Sequence, residues 1–239
     1  MKTITFLVTL SFFLTLNLSA QEFKLDSLWE GKTVHDTTKV KDILDYGVKK
    51  MNKSMDSSLF YFNWAVALVD SSMIKSSLSD AETRRLKLSK ATSLRCIGVV
   101  HYYQGTFDKA IDFFIKSITI SEEINDQSGM SACYNNIGMI HSFQENFEQA
   151  IDFYNKSLKI EEERNNPKGM AATYTNIGIV YFHRGSKLNK KGEIKQARDF
   201  FDNATKYYLQ SLKIYEELGE KRWISACCRP NIGVAYGDG

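Results

Sequence analysis

Ile97-Gly98, Ile137-Gly138 and Ile177-Gly178 stand 40 residues apart, and Ile232-Gly233 returns further on. A fixed interval of this size is the mark of a repeat array. Each repeat buries its apolar face against its neighbours, so the period constrains the fold before any local detail. Such arrays mostly present extended surfaces to other proteins, which implies a binding module.

One unit is clearest between Met130 and Asn166. In MSACYNNIGMIHSFQEN the residues Tyr134, Ile137, Gly138 and His141 fall at i, i+3, i+4 and i+7, one stripe of an α-helix. In FEQAIDFYNKSLKIEEERNN the residues Ala150, Tyr154, Ser157 and Leu158 form a second stripe. Asn146 followed by Gln149 resembles a capping box that opens the second helix. Asn165, Asn166, Pro167 and Gly169 then interrupt the chain. The flanking units repeat the plan: Leu94, Ile97, Gly98 and His101 before Ala110, Phe114 and Ser117, then Tyr174, Ile177, Gly178 and Tyr181 before Ala204, Tyr208 and Ser211. Small residues recur where paired helices approach closely, and large ones fill the space beside them.

These positions resemble the tetratricopeptide repeat, a helix–turn–helix unit. The 40-residue unit is similar to the long class found in kinesin light chain and in bacterial regulators of the Rap type. The resemblance implies an all-α solenoid of stacked antiparallel helix pairs, with three units over residues 91–220. An incomplete fourth unit is expected over 221–239, where Trp223 to Tyr236 supplies a first helix and Pro230 falls within it. Residues 21–90 read as an N-terminal helical region containing a degenerate unit. There Ser57 to Leu68 aligns on Gln149 to Ile160, preceded by a helix over about Thr38 to Lys53.

The third unit is longer than the others. Gly138 and Ala150 are 12 positions apart, whereas Gly178 and Ala204 are 26 apart. The 14 extra residues carry Ile194, Ala197, Phe200 and Phe201 in phase with Ala204. The spacing predicts a lengthened second helix starting near Gly192, with the exposed turn formed by Lys187 to Lys191. This hairpin reads either as a contact element or as a solvated insertion.

Residues 1–20 have the layout of a secretory leader, namely Lys2, an apolar run from Ile4 to Leu18, and the small pair Ser19-Ala20. Cleavage after Ala20 is expected, leaving an exported, periplasmic or secreted chain. The run is short for a membrane anchor, and no stable span is expected after cleavage. Export permits disulfides, yet Cys96 and Cys133 read as small buried side chains, and Cys227 and Cys228 are adjacent.

The net charge of +3 comes from interspersed acids and bases, without the basic stripe of a nucleic-acid reader. No spacing of His and Cys suits a metal, no cofactor motif is present, and no catalytic motif appears. His101 and His141 take the repeat's Tyr position and should pack as half-buried aromatics. The acidic run Glu161 to Glu163 reads as a solvated helix end.

The expected role is therefore a non-catalytic scaffold that holds a protein or peptide in the groove lined by the first helices. The stripe beside the core stripe defines the candidate contacts: Asn136, Met139 and Phe143; Asn176, Ile179 and His183; Cys96, Val99 and Tyr103; and Asn231. Asn136, Asn176 and Asn231 precede each Ile-Gly pair and either bind a peptide backbone or hold neighbouring units in register. The Lys/Arg carboxylate clamp of another subfamily has only Arg95 to draw on. The alternative role is the sensor segment of a truncated bacterial signalling protein, of the histidine-kinase or transcriptional-regulator type.

Overall fold

The computed structural model describes residues 36–74 and 78–220. The leader-like segment, Cys227, Cys228, Asn231 and the fourth unit lie outside the described residues. Among the described residues there are eight helices and no strand. They are α1 (Asp36–Met51), α2 (Met55–Met73), α3 (Asp80–Tyr103), α4 (Phe107–Glu123), α5 (Gln127–Phe143), α6 (Phe147–Glu163), α7 (Pro167–Lys190) and α8 (Ile194–Glu217). Each packs on the helix before and the helix after it, which gives an α-solenoid of antiparallel pairs.

The glycine at each Ile-Gly pair lets the two helices of a unit close on an aromatic ring. A Cβ built on Gly98 would lie 2.7 Å from the Phe114 ring, on Gly138 2.9 Å from Tyr154, and on Gly178 2.5 Å from Tyr208. All three rings are buried. The N-terminal pair makes the same contact, with Gly47 against Phe62. One turn further along, a serine hydroxyl ties the pair together. Ser117 Oγ donates to the Ala91 carbonyl at 2.8 Å, Ser211 Oγ to the Ala171 carbonyl at 2.7 Å, and Ser157 pairs with Ser131 at 2.9 Å.

From α3 onward every turn between helices has three residues, with the middle one in the left-handed region. These are Gly105, Asn125, Glu145, Asn165 and Gly192, and Gly219 follows α8 in the same way. The third residue's amide then bonds the carbonyl five positions back, as in Thr106 N to His101 O at 3.0 Å and Asn146 N to His141 O at 2.9 Å. This is the Schellman arrangement, which satisfies carbonyls a helix end would otherwise orphan. Pro167 sits at the first position of α7, where no amide hydrogen is needed.

Several sequence expectations change here. The Asn146–Gln149 capping box does not form, because Asn146 lies in this tight turn at φ −83°, ψ 67° and its side chain makes no capping bond. A capping box does exist at Ser79 and Glu82, where Glu82 N meets Ser79 Oγ at 3.3 Å and Ser79 N meets Glu82 Oε2 at 2.9 Å. It starts α3 at Asp80, so the expected boundary at residue 90 falls inside a continuous helix.

The 14-residue insertion is shared equally. Both α7 and α8 have 24 residues, against 17 for α5 and α6. Lys187 to Lys190 therefore form the last turn of α7, and the loop is Lys191-Gly192-Glu193. Seven residues are two helical turns, so the extension keeps its face. Gly185 repeats the Gly178 contact seven residues on, 2.9 Å from Phe201, itself seven residues before Tyr208.

Glu161 is buried rather than solvated. It accepts hydrogen bonds from the Ser131 hydroxyl, from Arg164 at 2.7 Å and from Asn166 at 2.6 Å. Gly169 makes room for it, since a Cβ there would lie 2.5 Å from the carboxylate.

Candidate functional site

First helices of successive units touch each other, α1 with α3, α3 with α5 and α5 with α7, while second helices are spread apart. A stack that is tighter on one side curves toward it. The first helices therefore line the inner surface.

The ends of these helices carry a row of rings at one phase. Tyr103 is 62% exposed and Phe143 is 68% exposed. His183 is exposed at the equivalent place in α7. The rings between them are continuous: Tyr102 meets Tyr103 at 5.3 Å and Phe107 at 6.0 Å, and Phe107 meets Phe143 at 5.2 Å between centroids. Met139, one turn before Phe143, is 36% exposed. Asn136 and Ile179 are half-buried.

Asn176 spends one amide hydrogen within the array. Its Nδ2 donates to Asn135 Oδ1 at 2.8 Å and bridges α7 to α5. Of the two roles open to the asparagine ladder, Asn176 performs the register role. At the preceding boundary the Asn135 position is Arg95, and Asn136 makes no side-chain hydrogen bond among the described residues. Cys96, placed on the groove stripe by periodicity, is buried against Phe62, Leu94 and Ile97. The longer α3 packs on the N-terminal pair there and covers it.

His101 and His141 stack on Phe113 and Phe153 at 5.4 and 5.3 Å, nearly parallel. Tyr181 stacks on Tyr207 in the same way at 5.4 Å. Partial desolvation lowers both imidazole pKa values, and Lys109 adds to the effect at His101. Cys96 and Cys133 are free and buried, and burial pushes the Cys133 thiol up to about 11. Among the described residues no cluster of His, Cys, Asp and Glu could hold a metal, and no helix is long and apolar enough to cross a membrane.

The insertion adds a second feature, which periodicity missed. Between units 2 and 3 lies a recess of about 360 Å³ lined by Phe143, Phe147, His183, Ser186, Lys187 and Lys190, with Ser142 and Glu145 at its edge. Lys187 pairs with Glu145 and lies 6.0 Å from the centre of the Phe147 ring. Arg184 pairs with Glu148 at 2.5 Å and covers Phe200. Lys187 holds the Glu145 carboxyl below its ordinary pKa, with smaller contributions from His183 and Lys191. In the sequence the one sign of this recess is the lysine-rich stretch, which reads as an exposed turn.

Comparison with known proteins agrees with this architecture. Residues 89–163 match the family model of the tetratricopeptide repeat. These residues carry tetratricopeptide repeats, and the described residues share the fold of solved repeat solenoids. No curated protein sequence matches it. BtubC (BKLC) from P. vanneervenii superposes with a TM-score of 0.55 at 13% identity, covering 88% of this chain and 85% of that one. Aspartyl phosphate phosphatase F from Bacillus subtilis gives 0.55 at 14% identity, over 81% of this chain and 59% of that one. Nearly identical repeats named for kinesin light chain, from Podosopora anserina, give 0.50 at 8% identity, over 85% and 97%. At such identities the likeness is one of fold.

Proposed function

We propose that this chain is an exported scaffold that binds a peptide or protein segment along its inner surface and catalyses nothing. The carrying observation is the ring row, in which Tyr103 and Phe143 stand exposed at the same phase of successive first helices. Large exposed rings at one phase suit alternate side chains of an extended partner, and exposed contiguous apolar surface of this kind marks interaction sites. Met139 and His183 extend the row, and Asn136 offers an unspent amide beside it.

Export rests on the leader-like segment before Gln21. Its test is the N-terminal sequence of the chain recovered from the exported fraction, which should begin at Gln21. Retention of Met1 sinks that part of the proposal.

Photo-crosslinking tests the binding surface. Benzoylphenylalanine replaces Phe143, Tyr103 or, as a control on a second helix, Ile115, which is 52% exposed. Adducts should form from the first two positions and not from the third. Equal labelling at all three, or labelling from Ile115 alone, refutes the inner-surface reading.

A further inference from the structure

The boundaries between units 1 and 2 and between units 2 and 3 have the same helices in the same order, yet they are filled differently. At the first, Phe143 of α5 lies on Phe107 at 5.2 Å and fills the space between the units. At the second, the residue equivalent to Phe143 is His183, and Phe147 takes the place of Phe107. The cap over Phe147 is the lysine side chain of Lys187, which the two-turn extension of α7 brings there. The result is the recess of about 360 Å³.

Its chemistry is one-sided. Lys187, Lys190 and His183 contribute the basic groups and the hydroxyls of Ser142 and Ser186 contribute donors, with Glu145 as the one acid. Glu145 is engaged by Lys187, whereas Lys190 has no ion pair among the described residues. Lys191 stands close enough to act on Glu145 as well. The field over the recess is therefore positive after internal pairing, and the exposed face of Phe143 forms one apolar wall. Such a site complements a carboxylate next to an apolar side chain.

We propose that this recess takes one acidic side chain of the bound partner, held by Lys190 and Lys187, while the partner's neighbouring apolar residue lies on Phe143. The proposal rests on the inner surface being the binding face and adds the chemistry of one anchor. It uses α7's extension, so the anchor position is single and fixes the register of the partner on the array. Glu145 competes with the incoming carboxylate for Lys187 and sets the affinity.

The test uses two fluorescein-labelled peptides in a Gly-Ser background, one carrying Glu-Leu-Glu and the other Gln-Leu-Gln, read by anisotropy against the full chain. The Glu peptide should bind at least about tenfold more tightly than the Gln peptide, the ratio that a single well-made charge contact supplies. Lys187→Gln with Lys190→Gln should bring the two peptides to the same affinity, with helicity unchanged by circular dichroism. Glu145→Gln should tighten the Glu peptide by about threefold, because it frees Lys187. Equal binding of both peptides to the native chain, unaffected by the lysine changes, overturns the recess and leaves the inner surface standing. No binding of either peptide also overturns it, and the crosslinking experiment then decides the inner surface separately.

Discussion

Units 2 and 3 solve the same packing problem at two lengths. Unit 2 pairs two 17-residue helices around one glycine–ring contact, Gly138 with Tyr154. Unit 3 pairs two 24-residue helices around two, Gly178 with Tyr208 and Gly185 with Phe201. The difference shows how an array absorbs an insertion. Seven residues in each helix leave the buried face in place, and the three-residue turn is transplanted unchanged to the far end. Extra length far from a whole number of turns would rotate the face out of the core, and unequal additions would unbalance the pair.

The largest effects should come from filling the glycine contacts. Gly138→Leu forces a branched side chain into Tyr154 and the Ala150 backbone and should cost ~3 kcal/mol or more. Gly185→Leu meets an almost identical local contact, with Phe201 and the Ala197 backbone. It should cost only about 1–2 kcal/mol, because the extension can fray without unstacking its neighbours. Chemical denaturation of both variants checks this, and equal losses would mean the extension is integral to the core.

Next comes the buried carboxylate between units 2 and 3. Glu161→Ala removes the acceptor for Ser131, Arg164 and Asn166 and should cost roughly 2–3 kcal/mol. At the preceding boundary the equivalent residue is Ser121, whose hydroxyl is buried without a partner. Ser121→Ala should be neutral or slightly stabilising, within about 0.5 kcal/mol. A destabilisation there comparable to Glu161→Ala would erase the contrast.

Deleting residues 186–199 should convert unit 3 into a copy of unit 2. The deletion brings Gly185 to the left-handed turn position that Gly105 and Glu145 occupy. A cooperative melt should survive, with a loss below about 2 kcal/mol, since the removed contacts and the ordering entropy of 14 residues nearly cancel. Collapse of helicity would show that the long pair holds the array together.

The smallest effect is a pH dependence that separates units 1 and 2 from unit 3. His101 and His141 have pKa values lowered by burial in the fold, so the unfolded chain binds their protons more readily. Stability from these rings is complete above pH 6.5 and is lost as pH falls through and below that value. Tyr181 occupies the same position in unit 3. Replacing both histidines by Tyr should flatten the stability profile between pH 7 and pH 5, as read from melting temperatures.

Most of the fold was legible because helical packing writes itself in period and phase. The Ile-Gly interval marks the units and the close helix contacts at each glycine, and the histidines in the Tyr position pack as half-buried aromatics. Tyr103, Phe143 and His183 followed from the same phase argument. What escaped depends on partners brought together by the chain's return. An insertion in phase with Ala204 fits one long helix as well as two shared extensions, because a heptad keeps the same face in either. Glu161 looked solvated because its partners Ser131 and Asn166 come from neighbouring segments. Asn176 pairs across units with Asn135, not with the asparagine at its own phase. The recess needs both His183 in the place that Phe143 takes one unit earlier and the longer α7, and neither alone announces it.

Because each helix pair leans only on its immediate neighbours, the array has the mechanics of a spring. Tension on its two ends is shared along a series of similar small hinges, so the inner surface widens or tightens by increments. A segment bridging several first helices would act as a splint along that spring, and the stiffness of the whole would then report occupancy.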